Sequence, residues 1–142
     1  MNALNQIIQW QKDASNTEAN KNKASLFVGC VFEEVGELLD ADNWPRYHDS
    51  KLSVNNLENH YKDNPERVFF ENKPEIIDAL TDIIVFSMAA IMALGEDPEQ
   101  CLKAVADSND TKRMPDGSFL KNEQGKIMKP AHYKQPDWSF LK

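Results

Sequence analysis

Cysteine is nearly missing from this 142-residue sequence, which carries only Cys30 and Cys101. Neither sits in a CxxC pair or near a histidine, so a disulfide framework and a thiolate metal site are both excluded. The two thiols read as reduced core residues of a cytoplasmic protein. Long apolar runs are also wanting. The longest, Ile83 to Leu94 interrupted by Ser87, falls short of the roughly 20 residues needed to cross a bilayer. The opening Met-Asn-Ala-Leu-Asn-Gln lacks the basic and apolar stretches of a secretory signal. No membrane association is therefore expected. Basic charge is in deficit too, with a net charge of -7. Seven basic against four acidic side chains in residues 110–142 leave -10 on residues 1–109. So acidic a body repels a phosphate backbone, which argues against nucleic acid as a partner. Strand signals, internal repeats and low-complexity segments are likewise lacking.

What is there reads as one all-α domain over residues 1–142, a helical body to residue 109 and an extended basic tail from 110 to 142. Leu4, Ile7, Ile8 and Gln11 recur at helical spacing over about Ala3 to Lys12, with Trp10 on the flank. A polar loop, Asp13 to Lys23, leads to a second helix over about Asn22 to Asp40, where Phe27, Cys30, Val31, Val35 and Leu38 form a wide apolar face. Residues 42–73 turn polar, and only a short helix from Ser53 to Lys62 is expected there, burying Val54, Leu57 and Tyr61. Pro74 suits a first helical position and Gly95 a C′ position. The helix they bound would be about 31 Å long at 1.5 Å per residue. Apolar on nearly every side, it is expected at the centre of a bundle of four to five helices. A protomer this small can hardly cover such a helix, so a core shared in a homodimer or homotetramer is expected. Asp97 caps a last helix ending near Asn109, and Met114-Pro115-Asp116-Gly117, Gly125 and Pro130 leave the tail extended, with a hairpin.

The acids are placed on the two most apolar helices. Glu33, Glu34 and Glu37 share one helical face, and Glu75, Asp78 and Asp82 follow at spacings of three and four along another. Burying lone carboxylates is costly, and a hard divalent cation such as Mg²⁺, with Mn²⁺ as substitute, would relieve it. Solvated acidic faces are the common alternative, and Glu75 alone is explained by the macrodipole of a first turn. A di-iron bundle is excluded, because no histidine follows a glutamate at the required spacing of three. The residues three before His48, His60 and His132 are Pro45, Leu57 and Lys129.

Glu33-Glu34-Val35-Gly36-Glu37 followed by Glu75-Ile76-Ile77-Asp78 resembles the EExxE and ExxD signature of the MazG-like all-α nucleoside triphosphate pyrophosphohydrolases. Ser108-Asn109-Asp110-Thr111-Lys112, the Asp116-Gly117 turn and the run from Gly125 to Pro136 resemble the ending of the phosphoribosyl-ATP pyrophosphohydrolase-like branch. The resemblance implies Mg²⁺-dependent hydrolysis of an NTP or dNTP, non-standard ones removed in house-cleaning included, to monophosphate and pyrophosphate. By motif it assigns Glu34, Glu37, Glu75 and Asp78 to the metal and Glu33 to the attacking water. Asn109, Lys112, Lys129 and Tyr133 are assigned to substrate phosphates, and Asp82 receives no role. Trp10 or Trp44 is available to stack on a base, and Asn5 or Asn16 to read its edge. Two alternatives stand beside this reading. One is phosphoribosyl-ATP as substrate, for which a Tyr-His pair or its like would be expected where this chain has Ile83-Ile84-Val85-Phe86. The other is a non-catalytic helical interaction protein.

Overall fold

A computed structural model describes residues 2–14, 20–41, 48–64 and 73–141. Asn16, Trp44 and all of residues 42–47 and 65–72 lie outside the described residues. Five helices follow in order: α1 (Ala3–Asp13), α2 (Lys21–Ala41), α3 (His48–Asp63), α4 (Lys73–Ala93) and α5 (Pro98–Asp110). No strand occurs among the described residues, where the only β pairing is two isolated bridges. The fold is all-α. It forms two compact units, one made of Met1–Glu18 with Lys73–Lys142 and the other of Ala19–Asn72.

In the first unit α1 lies on α5. The amphipathic pattern points Leu4 and Ile8 inward, but the structure buries Ala3, Trp10 and Ala14 and leaves Leu4 and Ile8 exposed. Polar contacts set that rotation. Trp10 Nε1 donates to the Asn109 carbonyl at 2.9 Å, Gln6 Nε2 donates to Asp107 and Asp110, and the Ala3 N–H donates to Glu99 Oε1. The small Ala3 and Ala14 side chains allow the helices to approach. Asp97 caps α5 by accepting from the Glu99 N–H at 2.9 Å, and Pro98 occupies its first position, as the sequence indicates.

The end of α4 is also as expected. Gly95 has φ +91°; its N–H donates to the Met92 carbonyl and that of Glu96 to the Ile91 carbonyl, the paired closure of a Schellman motif. The surroundings of α4 are not as expected. A bundle-centre helix is expected from the sequence, yet α4 has no buried residue among those described; within its own unit α5 packs chiefly on α1. By length and composition alone α4 is also apolar enough to cross a membrane, alone among the described residues. The run Ile83–Leu94 read from the sequence is shorter because Asp78 and Asp82 precede it.

The tail turns twice, where one hairpin was expected. Gly117 at φ +84° and Gly125 at φ +85° each make a tight turn closed by a bridge, Arg113 with Phe119 and Lys121 with Ile127. Glycine, which has no Cβ, takes up that positive φ without steric cost. The tail is fastened to α1 by Arg113 on Asp13 at 2.8 Å, by Lys121 Nζ on the Ala14 carbonyl at 2.7 Å, and by Phe119 set edge-on to Trp10 at 5.4 Å.

In the second unit α2 packs on α3, which begins five residues before the expected Ser53. Ser25 is fully buried; its hydroxyl donates to the Tyr61 carbonyl, with the Asn64 carbonyl at 3.3 Å. Phe32 stacks on Tyr61 at 5.6 Å. The α3 face that meets α2 carries Val54, Asn55, Glu58, Tyr61 and Lys62, all half-buried. Leu57 is expected inside from the sequence, but it sits about 100° around the helix from the middle of this stripe and is 42% exposed. Cys30 and Cys101 form no disulfide and are half-buried, not core residues.

Candidate active site

Glu33, Glu34 and Glu37 lie on α2 in one unit, and Glu75, Asp78 and Asp82 lie on α4 in the other. Each set is described within its own unit. On α2, the half-buried Glu33 accepts a hydrogen bond from Lys62 Nζ at 2.9 Å, and the same ammonium donates to Glu58 at 2.7 Å. Burial works against the charge of Lys62, but the hydrogen bonds to Glu58 and Glu33 outweigh it and raise its pKa above the ordinary lysine value. Glu34 and Glu37 are exposed. Within one motif, then, Glu33 is half-buried on a fixed ammonium and Glu34 and Glu37 are exposed.

On α4, Glu75, Asp78 and Asp82 are all exposed. The sequence places Asp78 and Asp82 on a buried helix; here both are exposed, on a helix with no buried residue among those described. Glu75 sits in the first turn, where it complements the helix dipole. Among the described residues no three His, Cys, Asp or Glu side chains converge to hold a metal ion. The donor chemistry of both sets, carboxylate oxygen throughout, is nonetheless that of a hard divalent cation.

The four residues assigned to substrate phosphates come together. Lys112 Nζ donates to Asn109 Oδ1 at 2.8 Å and stands 5.7 Å from the Tyr133 ring centre, while Lys129 Nζ stands 5.1 Å from the same ring. Ser108 Oγ lies 3.1 Å from Tyr133 Oη and 2.8 Å from the Lys134 carbonyl, which fixes the ring beside the end of α5. Two ammonium groups over one aromatic ring form a compact cationic patch, suited to phosphate oxygens.

Trp10 is not a base-stacking platform. It is buried, its indole N–H is taken by Asn109, and Lys112 lies 5.7 Å from its ring centre. It anchors α1 and the tail. Asn5 stands exposed on α1. A shallow groove of about 460 Å³, lined by Ala3, Glu99, Lys103, Asp107 and Phe140 among others, contains none of the residues assigned by motif. Lys62 escaped the sequence reading. Its signal was the i,i+4 pair Glu58 and Lys62, visible in the sequence but common on solvated helices.

Comparison with known proteins supplies the remaining evidence. Searches of curated proteins and of solved structures gave no match. A family model described as phosphoribosyl-ATP pyrophosphohydrolase matches residues 1–109. That span includes both acid motifs and Asn109, and ends before Lys112, Lys129 and Tyr133. With its all-α architecture and its EExxE and ExxD motifs, the chain belongs to the phosphoribosyl-ATP pyrophosphohydrolase family, a branch of the MazG-like superfamily, and is a hydrolase of phosphoric anhydrides.

Proposed function

We propose that the chain is a Mg²⁺-dependent, cytoplasmic pyrophosphohydrolase that splits a phosphoribosyl-ATP-type substrate between its α- and β-phosphorus, releasing pyrophosphate and leaving a monophosphate. The match of the family model to residues 1–109 carries this reading. The motif assigns Glu34, Glu37, Glu75 and Asp78 to hold Mg²⁺, which would offset part of the triphosphate charge and lower the pKa of water bound to it. Glu33 is assigned to orient that water, in keeping with a carboxylate already held by an ammonium. Lys112 and Lys129 are assigned to the pyrophosphate as its charge grows. A homodimer or homotetramer covering α4 completes the proposal.

A second reading, a house-cleaning enzyme for ordinary or altered NTPs and dNTPs, draws on Ile83-Ile84-Val85-Phe86, which stand where a dedicated phosphoribosyl-ATP enzyme is expected to carry polar residues. Pyrophosphate release with Mg²⁺ across phosphoribosyl-ATP, the NTPs and the dNTPs separates the two. A kcat/KM for phosphoribosyl-ATP at least tenfold above every NTP is expected. The reverse order would establish the house-cleaning reading. Orthophosphate and diphosphate as first products would refute the bond assignment, and no release from any nucleotide would leave a non-catalytic helical protein.

A further inference from the structure

Lys62 lies outside both acid motifs, on the helix that the sequence reading only sketched, yet it touches the first acid of EExxE. We propose that Lys62 is a positioning residue whose ammonium holds the Glu33 carboxylate to α3, withholding it from divalent-ion coordination and orienting it toward the attacking water. The part concerning water rests on the pyrophosphohydrolase reading above; the part concerning the metal does not.

Three observations carry the proposal. The Lys62–Glu33 contact is short, at 2.9 Å, and sheltered, with the side chains 13% and 30% exposed. The ammonium is also anchored independently of Glu33, through Glu58 one turn earlier on α3 at 2.7 Å. Its stem has a seat built into α2. A Cβ at Gly29, one turn before Glu33, would come within 2.6 Å of Lys62 Cγ and 3.0 Å of the Glu58 carbonyl oxygen. Glycine at that position therefore lets the lysine stem cross the helix and reach Glu33. A divalent ion approaching Glu33 would meet the like charge of Lys62, whereas Glu34 and Glu37 reach solvent on the same helix. Within the motif, Glu33 is thereby the carboxylate held by a fixed cation on α3, while Glu34 and Glu37 are exposed.

Mn²⁺ titration of the full chain, followed by the electron paramagnetic signal of the free ion, tests this. Lys62→Met is expected to tighten Mn²⁺ binding at least threefold, Lys62→Arg to match the wild type, and Lys62→Met combined with Glu33→Gln to lose the gain. Lys62→Gln, which keeps N–H donors for both carboxylates without the charge, should shift affinity in the same direction if Lys62→Met does not fold. Equal Mn²⁺ affinity in the wild type and the neutral variants would overturn the proposal, as would a gain that survives in the double variant. In turnover, Lys62→Met should lower kcat at least tenfold with KM within twofold, and Lys62→Arg should restore it; an unchanged kcat would overturn the positioning role. A wild type inactive on every nucleotide would instead overturn the pyrophosphohydrolase reading and the water role with it, while the Mn²⁺ titration would still decide the metal role.

Discussion

Lysines at three positions meet their surroundings differently, and the chemistry expected of each follows. Lys62 is enclosed by carboxylates, whereas Lys112 and Lys129 gather beside one tyrosine ring. A charge-assisted hydrogen bond from either of the latter to a departing pyrophosphate contributes about 1.5–3 kcal/mol. Lys129→Ala should accordingly lower kcat/KM roughly 10- to 150-fold while leaving the stabilisation by Mg²⁺ intact, and steady-state kinetics with parallel melting curves would check both. The acids behave oppositely. Glu34→Gln and Asp78→Asn preserve shape but remove charge, so both variants should fold, lose turnover and show a smaller rise in melting temperature with Mg²⁺ than the wild type. Equal stabilisation in wild type and variants would place the metal elsewhere.

Among the elements, α1 depends on its contacts with α5 and the tail. Trp10 provides the largest buried side chain in that contact, so Trp10→Ala should cost about 3–5 kcal/mol. Trp10→Phe, which retains most of the apolar area but removes one of two donors to the Asn109 carbonyl, the Lys112 N–H at 3.0 Å remaining, should cost on the order of 1 kcal/mol; chemical denaturation measures the difference. The tail's fastening should be sensitive to acid. Hydrogen bonds from Gln9 and then Arg113 hold the Asp13 carboxyl below its usual range. A depressed folded pKa contributes stability that is complete above the ordinary aspartate value of about 4 and fades as pH falls through the lower folded value. Arg113→Gln brings that folded value closer to the unfolded one. The pH at which the Trp10 indole N–H resonance broadens should therefore move upward in the variant, and an unmoved midpoint would show that Asp13 and Arg113 do not couple.

For the whole molecule, the question is what covers α4. Phe86 is 69% exposed and Leu94 81% exposed, and Ile77, Ile83, Ile84, Val85 and Met92 are exposed with them, a larger apolar surface than monomers ordinarily leave in water. A bilayer is a poor cover, since Asp78 and Asp82 on the same helix would enter it at a cost. A second copy of the chain suits the surface better. Sedimentation should report a dimer or tetramer at micromolar concentration, and Phe86→Asp should dissociate it; a wild-type species of about 16.2 kDa would refute the shared core.

Helix existence was legible in the chain itself because its signals are local. The cap at Asp97, the stop at Gly95 and the apolar spacing of α2 and α4 act within a few residues, so the all-α class and the ends of α4 and α5 could be read directly. The motif acids, and the tail residues that the structure gathers around Tyr133, were legible as a pattern of types and order. Rotation and partnership were not. Which side of α1 turns inward depends on the carbonyl of Asn109 and the carboxylates of α5, about a hundred positions away, and these outweigh the apolar stripe of Leu4 and Ile8. On α3, Lys62 passes against Gly29, where a Cβ would block it, and delivers an ammonium to Glu33, while Leu57 stays exposed. An amino-acid sequence determines by short-range sterics and hydrogen bonding where helices begin and end; which charge meets which depends on packing between segments distant along the chain, and here only the tertiary structure decided it.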